Sequence, residues 1–518
     1  MPAETCRFGC SRTGLRARHS IADGWSMRLL APPQVPAGGL RTFQHAPWPA
    51  GSAREPTEVR SRTMTLEATR APAPNTVTGS WLFGSTMDLI RDPLGASMRG
   101  FRECGDVARF ELGPPWLRRE LYLINHPDGA AQVLNAGTSR NFRKDGISYG
   151  SIRDLFGNGL LTSQDDDWQR QRRFIQPLFT PKSVDSYAGV MADLVDRTVA
   201  KWRDMPDRLI DLRAEMVRLT LDIVGRILFG EDAASMVGTV RASFPVLGRA
   251  VLRRAMSPVW PPLSWPTPGN RRIIRAQNNI GDICDEIIAH RRAAAEPGSD
   301  LIGRLVSARS GDEALSDDEI RDQVKIFLLA GHETTATALM FAFRLLGMNA
   351  WTQRRLWNEV RQVPGGAPRD ARLAGELVYT TMVLKETTRL YPSAPFVARN
   401  CVDETEICGY RIPAGVDIGI ATWVVHHRDD LWPDPERFDP ERFAPDDDQR
   451  RHKLAWMPFA FGPRGCIGQR FAMLEAAIVL AGLTREFEFV TPPGDVPITA
   501  DLVLHPSGEV PCYLRKRH

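Results

Sequence analysis

Residues 316–348 constrain this chain more than any other stretch. Ser316-Asp317-Asp318-Glu319 is a capping box with acids in the first turn. The apolar run behind it continues to about Met348. At the α-helical rise this predicts a helix roughly 45–50 Å long, enough to cross a domain. Its middle reads Ala330-Gly331-His332-Glu333-Thr334-Thr335. An acid beside alcohols in an apolar helix is costly unless satisfied. Gly331 and the threonine hydroxyls can loosen the local helical hydrogen bonds and admit water. Taken alone, the segment is also compatible with a tolerated polar turn in a core helix.

The second informative stretch is 459–468, Phe-Ala-Phe-Gly-Pro-Arg-Gly-Cys-Ile-Gly. Cys466 sits in a Gly-rich loop just before a helix predicted over 469–484, where free N–H groups and the positive dipole end favour a thiolate. Little side-chain bulk surrounds it, which suits a sulfur that must meet something large and flat. By itself a lone cysteine reads more often as a buried structural thiol.

Between and around these stretches the pattern is mostly helical. Helices are predicted over 127–134, 165–177, 191–203, 212–229, 270–293, 351–362 and 375–390. Strand-like runs fall at 107–112, 120–124, 396–399, 404–408, 410–412 and 416–421, and a final hairpin over 498–514 with Pro506-Ser507-Gly508 as its turn. Residues 141–163 are Gly-rich and polar and read as a long irregular loop, which in a compact protein is usually functional. Trp168 and Arg172 share one helix face, as do Glu386 and Arg389. His426-His427 diverge on any regular element, so surface or cofactor-edge packing is expected rather than a metal site.

Composition sets the outer limits. The chain has 518 residues, 43% hydrophobic and 25% charged, as in ordinary globular proteins. A net charge of +4 is too small to argue for nucleic acid. Eight sparse cysteines without framework spacing point to a reducing compartment, here the cytoplasm, and Cys6 and Cys10 lack a second pair to complete a zinc site. No apolar run reaches about 18 residues, so no transmembrane anchor is expected. Residues 1–74, rich in Pro, Gly, Ala and Arg, read as a disordered N-terminal extension, either a targeting segment or an upstream extension of a frame starting near Met64.

Four motifs, in order, resemble those of the cytochrome P450 superfamily. They are Trp168-x-x-x-Arg172, Ala-Gly-His-Glu-Thr-Thr at 330–335, Glu386-x-x-Arg389 with Pro-Glu-Arg-Phe at 440–443, and the cysteine loop. Arg437 stands in a near-duplicate context, but the surrounding residues favour Arg442 as the second arginine. The resemblance covers 75–518 and implies a mainly α domain with a small β-rich lobe. It implies haem b (iron protoporphyrin IX) between the long helix and the cysteine loop, with the Cys466 thiolate on iron. Trp168, Arg172, Arg399 and Arg464 would hold the propionates, with Phe459 and Gly468 framing the cofactor; Gly462 and Gly468 would let backbone pass close to it. Glu333 and Thr334 would be the catalytic proton relay. Glu386, Arg389 and Arg442 would be a structural ion-pair core. Phe327, Leu328, Ala330, Phe396, Val397 and the loop 147–161 would line the substrate pocket.

The same resemblance implies a monomeric O2-dependent monooxygenase acting on a lipophilic small molecule, terpene, fatty acid or steroid-like. A ferredoxin and its NAD(P)H-dependent reductase would supply the electrons, since little chain follows the loop to house a flavin or iron–sulfur domain. A peroxide-using peroxygenase or haem-thiolate isomerase often lacks the acid–alcohol pair, and a non-catalytic haem sensor would not need it. The wording of the motifs is closer to fatty-acid and terpene hydroxylases than to camphor-type bacterial enzymes.

Overall fold

The computed structural model describes residues 71–517 apart from 206–207, 231–232, 257–260, 295–297 and 299. Nearly all of the expected N-terminal extension, with Cys6, Cys10 and Met64, therefore lies outside the described residues. The long helix is Asp317–Met348, and both halves of its capping box form, Glu319 N to Ser316 Oγ at 3.2 Å and Ser316 N to Glu319 Oε2 at 2.8 Å. It is the one described helix long and apolar enough to cross a membrane, and 72% of that window is buried inside the protein. A helix apolar on all sides needs neighbours on all sides. These are Leu212–Phe229, Pro268–Ala293, Val378–Leu390 and Gln469–Glu486.

Two hydrophobic cores lie along this axis. One joins the second half of the long helix to Ala188–Arg203 and Gln469–Glu486, with Trp202 edge-on to Phe487 and Phe489. Those two helices approach so closely at Gly482 that a Cβ there would lie 2.6 Å from Val195 Cγ1. The other core joins the first half to Ala233–Met256 and Pro268–Ala293.

The strands gather in a small lobe. Its main sheet runs in the order Val107–Leu112, Arg119–Ile124, Asp417–Ile420, Val397–Cys401, Phe142–Arg143. Every pairing is antiparallel except that of Arg119–Ile124 with Asp417–Ile420. The chain is thus mainly helical with a β-rich lobe, as the resemblance implied.

Three local expectations are corrected. Within 141–163, Ile147–Phe156 is a helix, because Tyr149, Ile152, Leu155 and Phe156 recur at helical spacing and are buried. The C-terminal hairpin pairs Ile498–Ala500 with Leu504–Pro506, so its turn is 501–503. Pro506-Ser507-Gly508 instead leads to Pro511–Lys516, which pairs with Phe487–Val490 and Leu209–Asp211 in another sheet. Finally, His426 and His427 are buried, not surface residues.

Candidate active site

The cysteine loop is a tight structure fixed by its own backbone. Ala460 N reaches Met457 O at 3.1 Å, Gly465 N reaches Gly462 O at 3.0 Å, and Cys466 N reaches Phe459 O at 2.9 Å. Ala460 and Gly462 take left-handed φ of 56° and 73°. A Cβ at Gly462 would sit 2.0 Å from Leu134 O, so this glycine is required by neighbouring backbone and not by the cavity. At Gly468 a Cβ would lie 3.9 Å from the Cys466 sulfur, an ordinary contact, so its closeness to the cavity does not by itself demand glycine.

Cys466 is accessible because it faces an internal cavity that it lines with Phe459 and Gly468. Burial pushes its thiol up, while the Gly468 N–H and Lys144 pull the other way. The helix end alone therefore does not produce the thiolate expected from the sequence. A cation on the sulfur would, since a coordinating thiol deprotonates outright.

At one edge of the cavity four cations converge: Lys144, Arg172, Arg399 and Arg464. Their hydrogen bonds go to carbonyls: Lys144 Nζ to Leu161 O at 3.1 Å, Arg399 Nη1 to Ala398 O at 2.7 Å, Arg464 Nη2 to Ser163 O at 2.7 Å, and Arg172 Nη1 to Pro463 O. Trp168 lies between two of the guanidiniums, 5.2 Å from that of Arg172 and 4.6 Å from that of Arg464. Among the described residues none of the four forms an ion pair with a carboxylate. Burial, then the charges of Arg399 and Arg464, holds Lys144 well below the usual lysine range. Burial and Arg399 pull Arg464 down to about 10. Such a cluster calls for an anionic group. Lys144 was not singled out from sequence; one lysine in a polar stretch carries no signal until folding sets it beside two arginines.

The long helix forms the facing wall. Phe327, Ala330, Gly331, Thr334 and Thr335 line the cavity at helical spacing, joined by Phe396 and Val397. Leu328 is one residue round the helix from Phe327 and packs wholly in the core, so the expectation that it lines the pocket is corrected. Glu333 is half-buried and is not among the lining residues. The helix continues without a break through the polar turn. Thr334 Oγ1 donates to Ala330 O at 2.6 Å and Thr335 Oγ1 to Gly331 O at 3.3 Å, while Ser393 Oγ donates to Thr334 O at 2.7 Å. The rest of the wall is apolar and includes Ile152, Leu160, Val224, Leu228, Leu502 and Val503. The first two fall within the predicted 147–161 segment; the others gave no local signal.

Behind the loop, Glu386 and Arg389 are fully buried and paired. Asp439 N adds a bond to Glu386 Oε1 at 3.0 Å, and Arg442 Nε lies 3.4 Å from the same oxygen, whereas Arg437 is largely exposed. Arg389 Nη1 donates to His426 O at 2.8 Å. His426 Nδ1 faces Arg389 O at 3.1 Å and its Nε2 faces Met457 N at 2.9 Å, which fixes the tautomer with the proton on Nδ1. His426 thus ties the ion pair to the start of the cysteine loop.

A thiol at the floor, four unpaired cations at the edge and an apolar volume between fit a flat, mostly apolar group that bears anions and a metal cation. The Gly-rich loop and the small residues Ala330 and Gly331 leave room for it on both sides.

The family model for cytochrome P450 matches residues 74–512. The chain is 34% identical to cyclooctat-9-en-7-ol 5-monooxygenase of Streptomyces melanosporofaciens over 80% of its own length and 88% of that protein. It is 30% identical to pentalenene oxygenase of Streptomyces avermitilis over 82% of its length and 93% of the relative. In fold it matches the crystal structure of the cytochrome P450DA haem domain with a TM-score of 0.77, covering 87% of this chain and 99% of that one at 24% identity.

Proposed function

The chain belongs to the cytochrome P450 family and is a monooxygenase, and on that premise we propose that it oxidises a compact, uncharged terpene-like substrate. The cofactor is proposed to be haem b, held by Cys466 on one face and by Lys144, Arg172, Arg399, Arg464 and the Trp168 N–H at its propionate edge. When bound, haem supplies the oxygen chemistry: one atom of O2 enters the substrate and the other leaves as water, at the expense of two electrons and two protons.

The chain's own residues supply position, dryness and protons. Thr334 Oγ1 stands on the cavity wall beside Ala330, where a hydroxyl can order a water and pass a proton. The proposed role of Glu333, outside the lining, is to replenish protons from the helix flank. Glu386, Arg389 and Arg442 are assigned to holding the loop in place. Ferredoxin-type electron delivery, a monomeric state and a cytoplasmic site are proposed on the family resemblance alone.

The observation that carries this reading is the meeting of Cys466 with four cations that have no carboxylate partner among the described residues, on one apolar cavity. It also bears on the substrate. Among the described residues the charged side chains lining the cavity are those four cations, all assigned to the propionates, so none of these is left to anchor a fatty-acid carboxylate. Phe327, Val224, Leu228 and Leu502 favour a neutral hydrocarbon skeleton. The names of the two Streptomyces relatives point the same way.

The reduced protein with carbon monoxide is expected to show the red-shifted Soret band of thiolate-ligated haem, lost in Cys466→His; a histidine-type band in intact wild-type protein would refute the ligand assignment. Titration with cyclic terpenes should give substrate-type spectral shifts at lower concentration than fatty acids do. Thr334→Ala should raise peroxide release per electron consumed, and unchanged coupling on a turned-over substrate removes Thr334 from the relay.

A further inference from the structure

The charged edge of the apolar cavity also borders a second cavity. This one measures about 370 Å³ and shares Lys144, Trp168, Arg399 and Arg464 with the first. Its other walls come from the end of helix Pro127–Leu134, the segment 139–143, the start of helix Asp165–Ile175 and Pro463 of the cysteine loop. The two cavities therefore meet at the cations, one apolar and the other polar. Lys144 and Arg399 are buried at the inner end of the second cavity. Arg140, Asp166 and Gln169 are exposed on its outer side, where it meets solvent.

The charges around the second cavity do not balance. Five cations line it against two acids. Arg143 takes up one of the acids, with Nη2 2.7 Å from Asp165, and its Nε donates to Asp145 at 2.6 Å. The other acid, Asp166, and the cation Arg140 have no ion pair among the described residues, and their charges offset each other. That leaves Lys144, Arg399 and Arg464, with Arg172 on the far side of the edge. On the proposed cofactor assignment two propionates balance two of these four cations, so two positive charges remain. Buried cations without a counter-charge are costly.

An oxyanion of two charges cancels that excess. Sulfate is such an ion, and so is phosphate above its second pKa. Their oxygens accept from guanidinium forks and amide N–H groups together. Arg140 and Arg464 supply the first kind of donor, Asn135 and Gln169 the second. Asn135 Oδ1 accepts from Gly137 N at 3.2 Å, which directs its NH2 group elsewhere. We propose that the second cavity is a binding site for a small dianionic oxyanion, phosphate or sulfate, on the outer side of the propionate edge. The proposal rests on the haem reading for its charge balance. Propionates and oxyanion share cations, so each weakens the other, and by reciprocity the two effects are equal. A dianion beside the cofactor also opposes the electron taken up on reduction, so saturating phosphate should shift the reduction potential of the holoprotein negative.

The test is calorimetric titration of the full-length holoprotein with inorganic phosphate and with sulfate at constant ionic strength set by chloride. The carbon monoxide spectrum of the same sample checks the haem reading before any phosphate is added, so the two can fail separately. Wild type should bind either ion saturably at one site, and the apoprotein should bind it more tightly. Arg140→Gln should weaken binding to the holoprotein about tenfold, through loss of one charge-assisted contact. Asp166→Asn should tighten it several-fold, a gain that damage to the fold does not produce. Binding to the apoprotein alone would mean that the anion sits where the propionates do, and overturns a separate site. Holoprotein that takes up neither ion overturns it as well, as does binding that neither substitution changes.

Discussion

Arg389 meets Glu386 through two hydrogen bonds, Nε to Oε2 at 2.7 Å and Nη2 to Oε1 at 2.8 Å, and neither side chain is reached by solvent. Burial pushes the Glu386 carboxyl up, and Arg389, the Asp439 amide and Arg442 pull it back. Arg389→Lys would keep the charge but lose the fork, the bond to His426 O and the contact with Trp432. Breaking a buried pair of this kind costs about 3–5 kcal/mol. The expected result is a matching fall in the urea unfolding free energy and poor haem retention. A variant within about 1 kcal/mol of wild type would show that the pair is dispensable, the level expected of a surface ion pair.

Lys144→Met should act in opposite directions on the two forms of the protein. Without cofactor, Lys144 is a desolvated cation beside Arg399 and Arg464, so its removal should raise the thermal midpoint of the apoprotein. With cofactor, the variant loses a charged partner for a propionate and should release haem about tenfold faster, about 1.4 kcal/mol. Thermal melts of apoprotein and haem transfer to an acceptor apoprotein read the two effects separately. A variant apoprotein less stable than wild type would mean that the lysine stem, not its charge, matters.

His427 gives a pH dependence with a definite sign. Burial, followed by the opposing bond to Trp423 O and the charge of Arg389, brings its imidazole down from 6.5 to about 4. Between those values the unfolded chain binds a proton that the folded chain refuses, so stability falls as pH drops from 6.5 to about 4. The loss from this residue is about 3 kcal/mol. Glu436 lies 4.0 Å from its Nε2 and limits the effect. His427→Gln should flatten the slope of unfolding free energy over this window; equal slopes would assign the acid sensitivity elsewhere, first to His426, which burial also holds down.

What the sequence made legible follows from how local each signal is. The capping box, the cysteine loop and Glu386-x-x-Arg389 are short contiguous patterns whose geometry is set within a few residues, and each lies where its pattern implied. Lys144, Val224 and Leu502 reach the cavity from three distant segments, and only chain folding brings them together. Leu328 was misplaced because an all-round apolar helix carries no periodic marker of which face meets the cavity. For the histidine pair, divergence of adjacent side chains says only that they cannot share a ligand; of the two placements expected, surface or cofactor edge, burial removes the first.

Glu475 has no counterpart in that reading. It is fully buried on the helix Gln469–Glu486, four residues beyond Phe471 of the cavity wall, and among the described residues neither of its carboxyl oxygens has a hydrogen-bond partner. Burial pushes its carboxyl well above 4.5, and the nearby Thr335 hydroxyl, which donates to Gly331 O, only partly opposes this. The folded state therefore holds a proton that the unfolded state releases. Its contribution is fully present below pH 4.5 and is lost as pH rises toward the folded value. Within that window the loss is about 1.4 kcal/mol per pH unit. Glu475→Gln keeps the shape and removes the titration, so it should be more stable than wild type at pH 8, with the gap closing toward pH 4.5. Paired unfolding curves across that range check it, because the slope from His427 is common to both proteins and cancels. A gap that stays constant with pH would mean that Glu475 is ionised in the fold and that an unseen partner holds its charge.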